Sequence, residues 1–181
     1  MRNTLMALGL AMLAPVATSS EAQQRPSGSG RALGLGVGLG VAGMSVGGDN
    51  NSVLAASVLG RIGIDSRNRF LLVAEFNPFE VDSPAAEESF RDVNVLVAVS
   101  LGRSFKVRPG LGVQFRWWSG LERVESSDSG LVLSVDAGPE LRRSERFSLS
   151  PEILFRWSVI EVEGTVTSWL IGLQIVASWS R

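Results

Sequence analysis

Cysteine and histidine are absent from this chain, and lysine occurs once, at Lys106. Without cysteine there is no disulfide framework and no thiolate metal site. Without histidine the commonest general base and metal ligand are missing, and so is the Ser–His pairing of most hydrolases. A net charge of −1 gives no electrostatic attraction to nucleic acid. Long apolar runs are also scarce. Beyond the N-terminal segment no run approaches the roughly 18 apolar residues that a membrane-spanning helix needs. Overall hydropathy is nevertheless positive. Such a chain must either enclose a large core or meet lipid in some other way.

What is present begins with an export signal. Arg2 precedes the apolar run Leu5 to Val16, and Ser20-Glu21-Ala22 offers small residues at the positions a signal peptidase checks. The run is too short to cross a bilayer as a helix. Residues 1–22 therefore read as a signal peptide, with no cysteine after it to carry a lipid. Residues 23–30 (QQRPSGSG) read as a flexible lead-in. Residues 31–181 remain as one domain.

Gly38 to Gly43 (GLGVAG) fits the G-x-G-x-x-G pattern of a dinucleotide-binding turn. That reading needs a strand before it, a helix opening on it and an acidic residue about 20 positions later. Here Leu33, Leu35, Val37, Leu39 and Val41 alternate with Gly34, Gly36, Gly38, Gly40 and Ala42. A period of two makes the glycines one face of a strand. Met44 to Asn51 then reads as a turn cluster and not a helix. Val53–Arg61 is the one stretch whose propensity alone allows a helix.

The alternation returns seven times, near residues 54–64, 70–77, 92–101, 105–117, 131–142, 147–159 and 168–179. Short polar turns (Asp65–Arg69, Gly102–Ser104, Arg143–Glu145) alternate with longer connections such as Asp82–Ser89 and Glu122–Gly130. Strands joined in this way form hairpins. Eight of them close an all-β, eight-stranded antiparallel up-and-down barrel.

Periodicity does not say which face is inside. A lipocalin hides its apolar face and a transmembrane barrel displays it. Three features favour the transmembrane form. The polar face is mostly Gly, Ser and Ala with scattered charges, unlike a soluble exterior but suited to a narrow interior. Aromatics on the apolar face sort into two levels. Phe70, Phe105, Phe147 and Trp179 lie beside the short turns, and Phe76, Trp117, Trp157 and Trp169 lie toward the long connections. Bilayer interfaces favour such rings. Finally, the chain carries an export signal, and a closed barrel satisfies every backbone group in hydrocarbon.

On this pattern residues 31–181 resemble the small eight-stranded outer-membrane barrels of the OmpA transmembrane-domain and OmpX type. The chain ends on an alternating segment, Ile175 to Arg181, with Trp179 two residues before the end. The resemblance implies a bacterial outer-membrane location, outer-membrane lipids and the barrel-insertion machinery as partners, and a monomer. It implies no cofactor and no partner nucleic acid.

The inward positions carry Arg61, Glu75, Asp92, Lys106, Arg108, Arg116, Asp136, Glu140, Glu152 and Arg156, with Arg142 on the same parity. Buried charges must pair. Arg108 or Arg116 with Asp136 or Glu140 is the expected pairing. Two readings stand: a salt-bridged plug, or a gated ion path through it. Asp49, Glu80, Asp82, Glu87, Glu88, Glu122, Glu125, Asp128, Glu161 and Glu163 crowd the long connections. They could hold divalent cations or simply form a solvated face. Asp136 with Glu152 could in principle serve as acid and base, but paired structural charges account for them better, so the expectation is not an enzyme. The overall expectation is an integral outer-membrane barrel with a structural, surface-interaction or minor-channel role. The alternative is a secreted, soluble, lipocalin-like barrel holding an apolar ligand.

Overall fold

The computed structural model describes residues 31–180, apart from 47–48, 66, 84–85, 121–122, 143, 145 and 162–164. The signal peptide and lead-in expected at 1–30 lie outside the described residues. The regular elements are β1 (Ala32–Val46), β2 (Asp49–Gly63), β3 (Phe70–Ser83), β4 (Ala86–Val99), β5 (Phe105–Gly120), β6 (Arg123–Pro139), β7 (Leu141–Arg142), β8 (Phe147–Glu161) and β9 (Thr165–Ser180). Each pairs antiparallel with its neighbour, and β1 pairs with β9 to close the barrel. Val53–Arg61 lies within β2, so pairing on both sides overrides its helical propensity.

The sixth strand, expected to run unbroken from 131 to 142, is interrupted at Glu140. β7 keeps the register of β6 against β8, so the two form one stave. In that register Pro139 faces Pro151, and neither has an N–H to give the ladder. The barrel thus has eight staves.

The expected long connections are mostly strand. Met44–Val46 and Asp49–Asn51 pair with each other, as do 80–83 with 86–89 and 123 and 126–130 with 114–118 and 120. Polar residues such as Ser126, Ser127 and Asp128 pair opposite Trp118, Trp117 and Arg116 and extend the staves beyond the apolar zone. The opposite end stops at tight turns. There Asp65 accepts the Phe70 and Arg67 N–H groups at 2.9 and 3.2 Å. Asn68 adopts φ 50° and its Oδ1 accepts the Ala32 N–H, tying β1 to the turn.

Register fixes the size of the barrel. Direct partners followed around the barrel run Gly34, Arg61, Val73, Leu96, Gly112, Val132, Ser158, Ser168 and back to β1 at Met44. The stagger is therefore ten residues, Gly34 to Met44. For eight strands this means a tilt of about 40° and a backbone radius of about 8 Å.

The outer face is apolar, whereas the interior holds the charges together with two apolar clusters, one around Phe90 and Leu154 and one around Val73, Leu96 and Val132. Leu39, Leu54 and Leu173 are 73, 83 and 68% exposed on the outside, whereas Glu75, Arg116 and Glu152 are each 2% exposed inside. This arrangement speaks against the lipocalin-like alternative, because a soluble barrel would not expose an apolar outer face while burying ion pairs within.

Candidate functional site

The interior charges form tiers. Near the turn end, Arg61 and Arg108 both reach Glu152, at 3.0 and 2.8 Å, and the Gln174 amide donates to its other oxygen at 3.0 Å. In the middle, Arg156 bridges Glu75 at 2.6 Å and Asp136 at 2.5 Å. Ser57 and Asn94 also donate to Glu75. Toward the opposite end, Arg116 holds Asp92 through two bonds of 2.7 and 2.6 Å. Gln114 also donates to Asp92, and Arg116 donates to Ser168. The Arg116 guanidinium lies 5.7 Å from the Phe90 ring centre, a cation–π distance. Lys106 and Glu140 make a looser pair of 3.6 Å at the rim.

The expected pairing is corrected by these contacts. Arg108 and Asp136 are register partners, but Arg108 turns to Glu152 and leaves Asp136 to Arg156. Arg116 takes Asp92 on the adjacent β4. Side chains in an 8 Å barrel can reach across it, so Arg108 passes over β6 to Glu152 on β8, whereas Arg116 keeps its own register partner Asp92. Asp136 and Glu152 sit in different pairs, each committed to arginine. The side chain of Arg142 lies outside the described residues. So do the acidic side chains proposed for divalent cations, Asp128 excepted.

Sequence reasoning passed over the neutral half of the network: Ser57, Asn94, Gln114, Ser168 and Gln174. Each shares the parity of the charges on its strand, which was the available signal. The amide oxygens of Asn77, Asn94 and Gln114 are buried and accept no bond from described residues. These three side chains line a cavity of about 20 Å³, room for one water.

The glycine face of β1 now has a packing reason. A Cβ on Gly34 would lie 2.8 Å from the Arg61 side chain, and one on Gly38 would lie 2.8 Å from Gln174. These glycines leave the space through which Arg61 and Gln174 reach Glu152. Gly40 faces Gly172, each carbon too close for a side chain on the other. Gly43, on the opposite, outward face of β1, pairs with Trp169 and lies beneath its indole. The apparent nucleotide motif is thus a strand surface shaped by its neighbours.

Outside, Phe70, Phe105, Phe147 and Trp179 start or end staves at the turn end, and Phe147 and Trp179 rings lie 5.5 Å apart. Phe76, Trp117, Trp157 and Trp169 lie farther along, joined by Phe115 and exposed like them. Phe115 and Trp117 rings are 6.4 Å apart. With the rise and tilt above, the two levels are separated by about 24 Å along the axis. Outward positions between them are Leu, Ile, Val, Ala, Phe, Pro and Gly60, without a charge.

No protein-family model and no curated protein sequence matches the chain. Among solved structures, Neisserial surface protein A is similar over 82% of this chain and 96% of that one. Its TM-score is 0.60 at 12% identity. A major outer membrane protein from Thermus thermophilus is similar over 83% of this chain and 99% of that one, with TM-score 0.50 and 13% identity. The fold is that of the small eight-stranded outer-membrane β-barrels.

Proposed function

We propose that this chain is an integral barrel of a bacterial outer membrane, with a structural or surface-interaction role and an interior closed by ion pairs. The carrying observation is the charge-free outward belt of about 24 Å between two aromatic levels, close to the roughly 25 Å apolar band of outer-membrane barrels. Aromatic rings suit the water–hydrocarbon boundary, so each level marks one interface. The exposed leucines and valines are then solvated by lipid. On this reading residues 1–22 are a signal peptide, removed on export, and 23–30 a lead-in to the barrel. Outer-membrane lipids and the barrel-insertion machinery are its partners, and the barrel is a monomer.

The closed interior is supported by the balance of charge. Among the described inward side chains, five cations (Arg61, Lys106, Arg108, Arg116, Arg156) meet five carboxylates (Glu75, Asp92, Asp136, Glu140, Glu152), each in a direct ion pair. A conducting path would have to break one of the buried tiers. The role is therefore scaffolding: the network and the buried apolar clusters together fill the barrel, and the strands continue beyond the upper aromatics in segments of polar sequence.

The first test is gel mobility of the outer-membrane fraction in SDS, unboiled against boiled. A heat-dependent shift is expected. A single unshifted band from a protein soluble without detergent would overturn the membrane reading.

A further inference from the structure

The turn end of the barrel has four corners, and each carries exposed arginine. Arg67 and Arg69 flank the β2–β3 turn, Arg103 lies in the β4–β5 turn, and Arg146 precedes β8. Arg31 stands at the fourth corner, where β1 meets β9. None of the five makes an ion pair with a described residue. Among the described residues the nearby carboxylates are Asp65 and Glu140, and both are otherwise engaged. Phe70 N–H above all, with the turn's other amides, draws Asp65 below its usual carboxylate range. Glu140 faces Lys106. The turns are also held in place: Ser100 N–H donates to the Arg69 carbonyl at 2.6 Å, and Ser180 N–H to the Arg146 carbonyl at 2.9 Å.

The position of this collar relative to the aromatics is the second observation. Arg69 adjoins Phe70, Arg146 adjoins Phe147, and Arg103 lies two residues before Phe105. Arg31 precedes Ala32, whose partner Ser180 follows Trp179. If the aromatic level marks the hydrocarbon boundary, the next residue outward stands at the depth of lipid phosphates. A guanidinium offers a planar fork that matches phosphate oxygens two at a time, which a lysine ammonium does not.

We propose that the arginine collar binds the phosphates of anionic phospholipids in the leaflet facing the short turns, fixing the depth of the barrel in the membrane. The inference rests on the membrane reading above. Each arginine near an anionic surface adds about a fivefold factor to the attraction for that surface. Acidic residues dominate the opposite end of the sequence pattern, so lipid preference should be confined to one end.

The test uses the full mature chain with Trp117→Phe, Trp118→Phe, Trp157→Phe and Trp169→Phe, so that Trp179 alone reports. It is folded into phosphatidylcholine vesicles containing brominated phosphatidylglycerol or, separately, brominated phosphatidylcholine. We expect the brominated phosphatidylglycerol to quench Trp179 at a several-fold lower fraction. Adding Arg31→Gln, Arg67→Gln, Arg69→Gln, Arg103→Gln and Arg146→Gln should make the two lipids equal, with the cold-SDS gel shift retained. A companion form keeping only Trp169 should show no preference for the anionic lipid. If the arginine variant does not fold, salt decides. At about 0.5 M the Debye length is about 4 Å, and the preference should collapse. Equal quenching by both lipids in the protein with its arginines, or a preference that survives their removal or high salt, overturns the collar. The same holds for an equal preference at Trp169. No quenching by either lipid would instead overturn the membrane reading itself.

Discussion

Arg156 holds two carboxylates at once, Glu75 and Asp136, and all three are buried. Removing one member of a buried pair leaves an uncompensated charge, at a cost of about 3–5 kcal/mol. Arg156→Met is therefore expected to destabilise the barrel by about that amount, read by urea unfolding in lipid vesicles. Lys106→Gln, which breaks the looser pair at the rim, should cost about 1 kcal/mol or less. Equal effects would mean that the interior pairs are solvated and the network is not a plug. Glycines divide in the same way. Gly38→Ala is expected to push Gln174 off Glu152 and cost about 1–3 kcal/mol by overpacking. Gly60 faces outward, with its nearest neighbour at 3.8 Å, so Gly60→Ala should be close to neutral. A Gly38→Ala variant as stable as the Gly60→Ala variant would count against the packing role of the glycine face.

Strands are where register and environment meet. Val95 on β4 and Val113 on β5 face each other on the outside of the barrel. By the stagger both stand in the upper half of the belt, Val113 nearer the upper aromatics. Val95→Arg is expected to cost about 2 kcal/mol and Val113→Arg less, because the penalty of a cation facing hydrocarbon falls from about 2–4 kcal/mol at the midplane toward the interfaces. Arg91, also outward on β4 but paired with Trp117 at the upper aromatic level, shows where the chain itself tolerates such a charge. A charge at Val95 that left folding yield and urea midpoint unchanged would argue that this face meets water. The break between β6 and β7 carries the opposite lesson: facing prolines interrupt hydrogen bonding without altering the register on either side.

For the molecule as a whole, the decisive ratio is between barrel radius and side-chain reach. At a radius of about 8 Å an arginine spans the lumen. Arg61 from β2 and Arg108 from β5 therefore converge on Glu152 of β8. With all three buried tiers intact, planar-bilayer recordings at neutral pH are expected to show no sustained open-pore conductance. A stable, high-conductance state in the unmodified protein would show that the tiers do not block the lumen.

The alternation of Leu33 to Val41 with Gly34 to Ala42, repeated along the chain, was enough to determine strands, their number and a closed barrel. A period of two leaves no other way to separate two such faces. The aromatic levels and the parity of Glu75, Asp92 and Glu152 were equally readable, because parity is local. Three features were not. Hairpin polar segments became strand because pairing, not composition, satisfies their backbone groups. The stagger from Gly34 to Met44 accumulates over all the interfaces, and no single strand encodes it. Ion-pair partners depend on that stagger and on reach across the lumen. That is why Arg108 meets Glu152 rather than its own register partner Asp136.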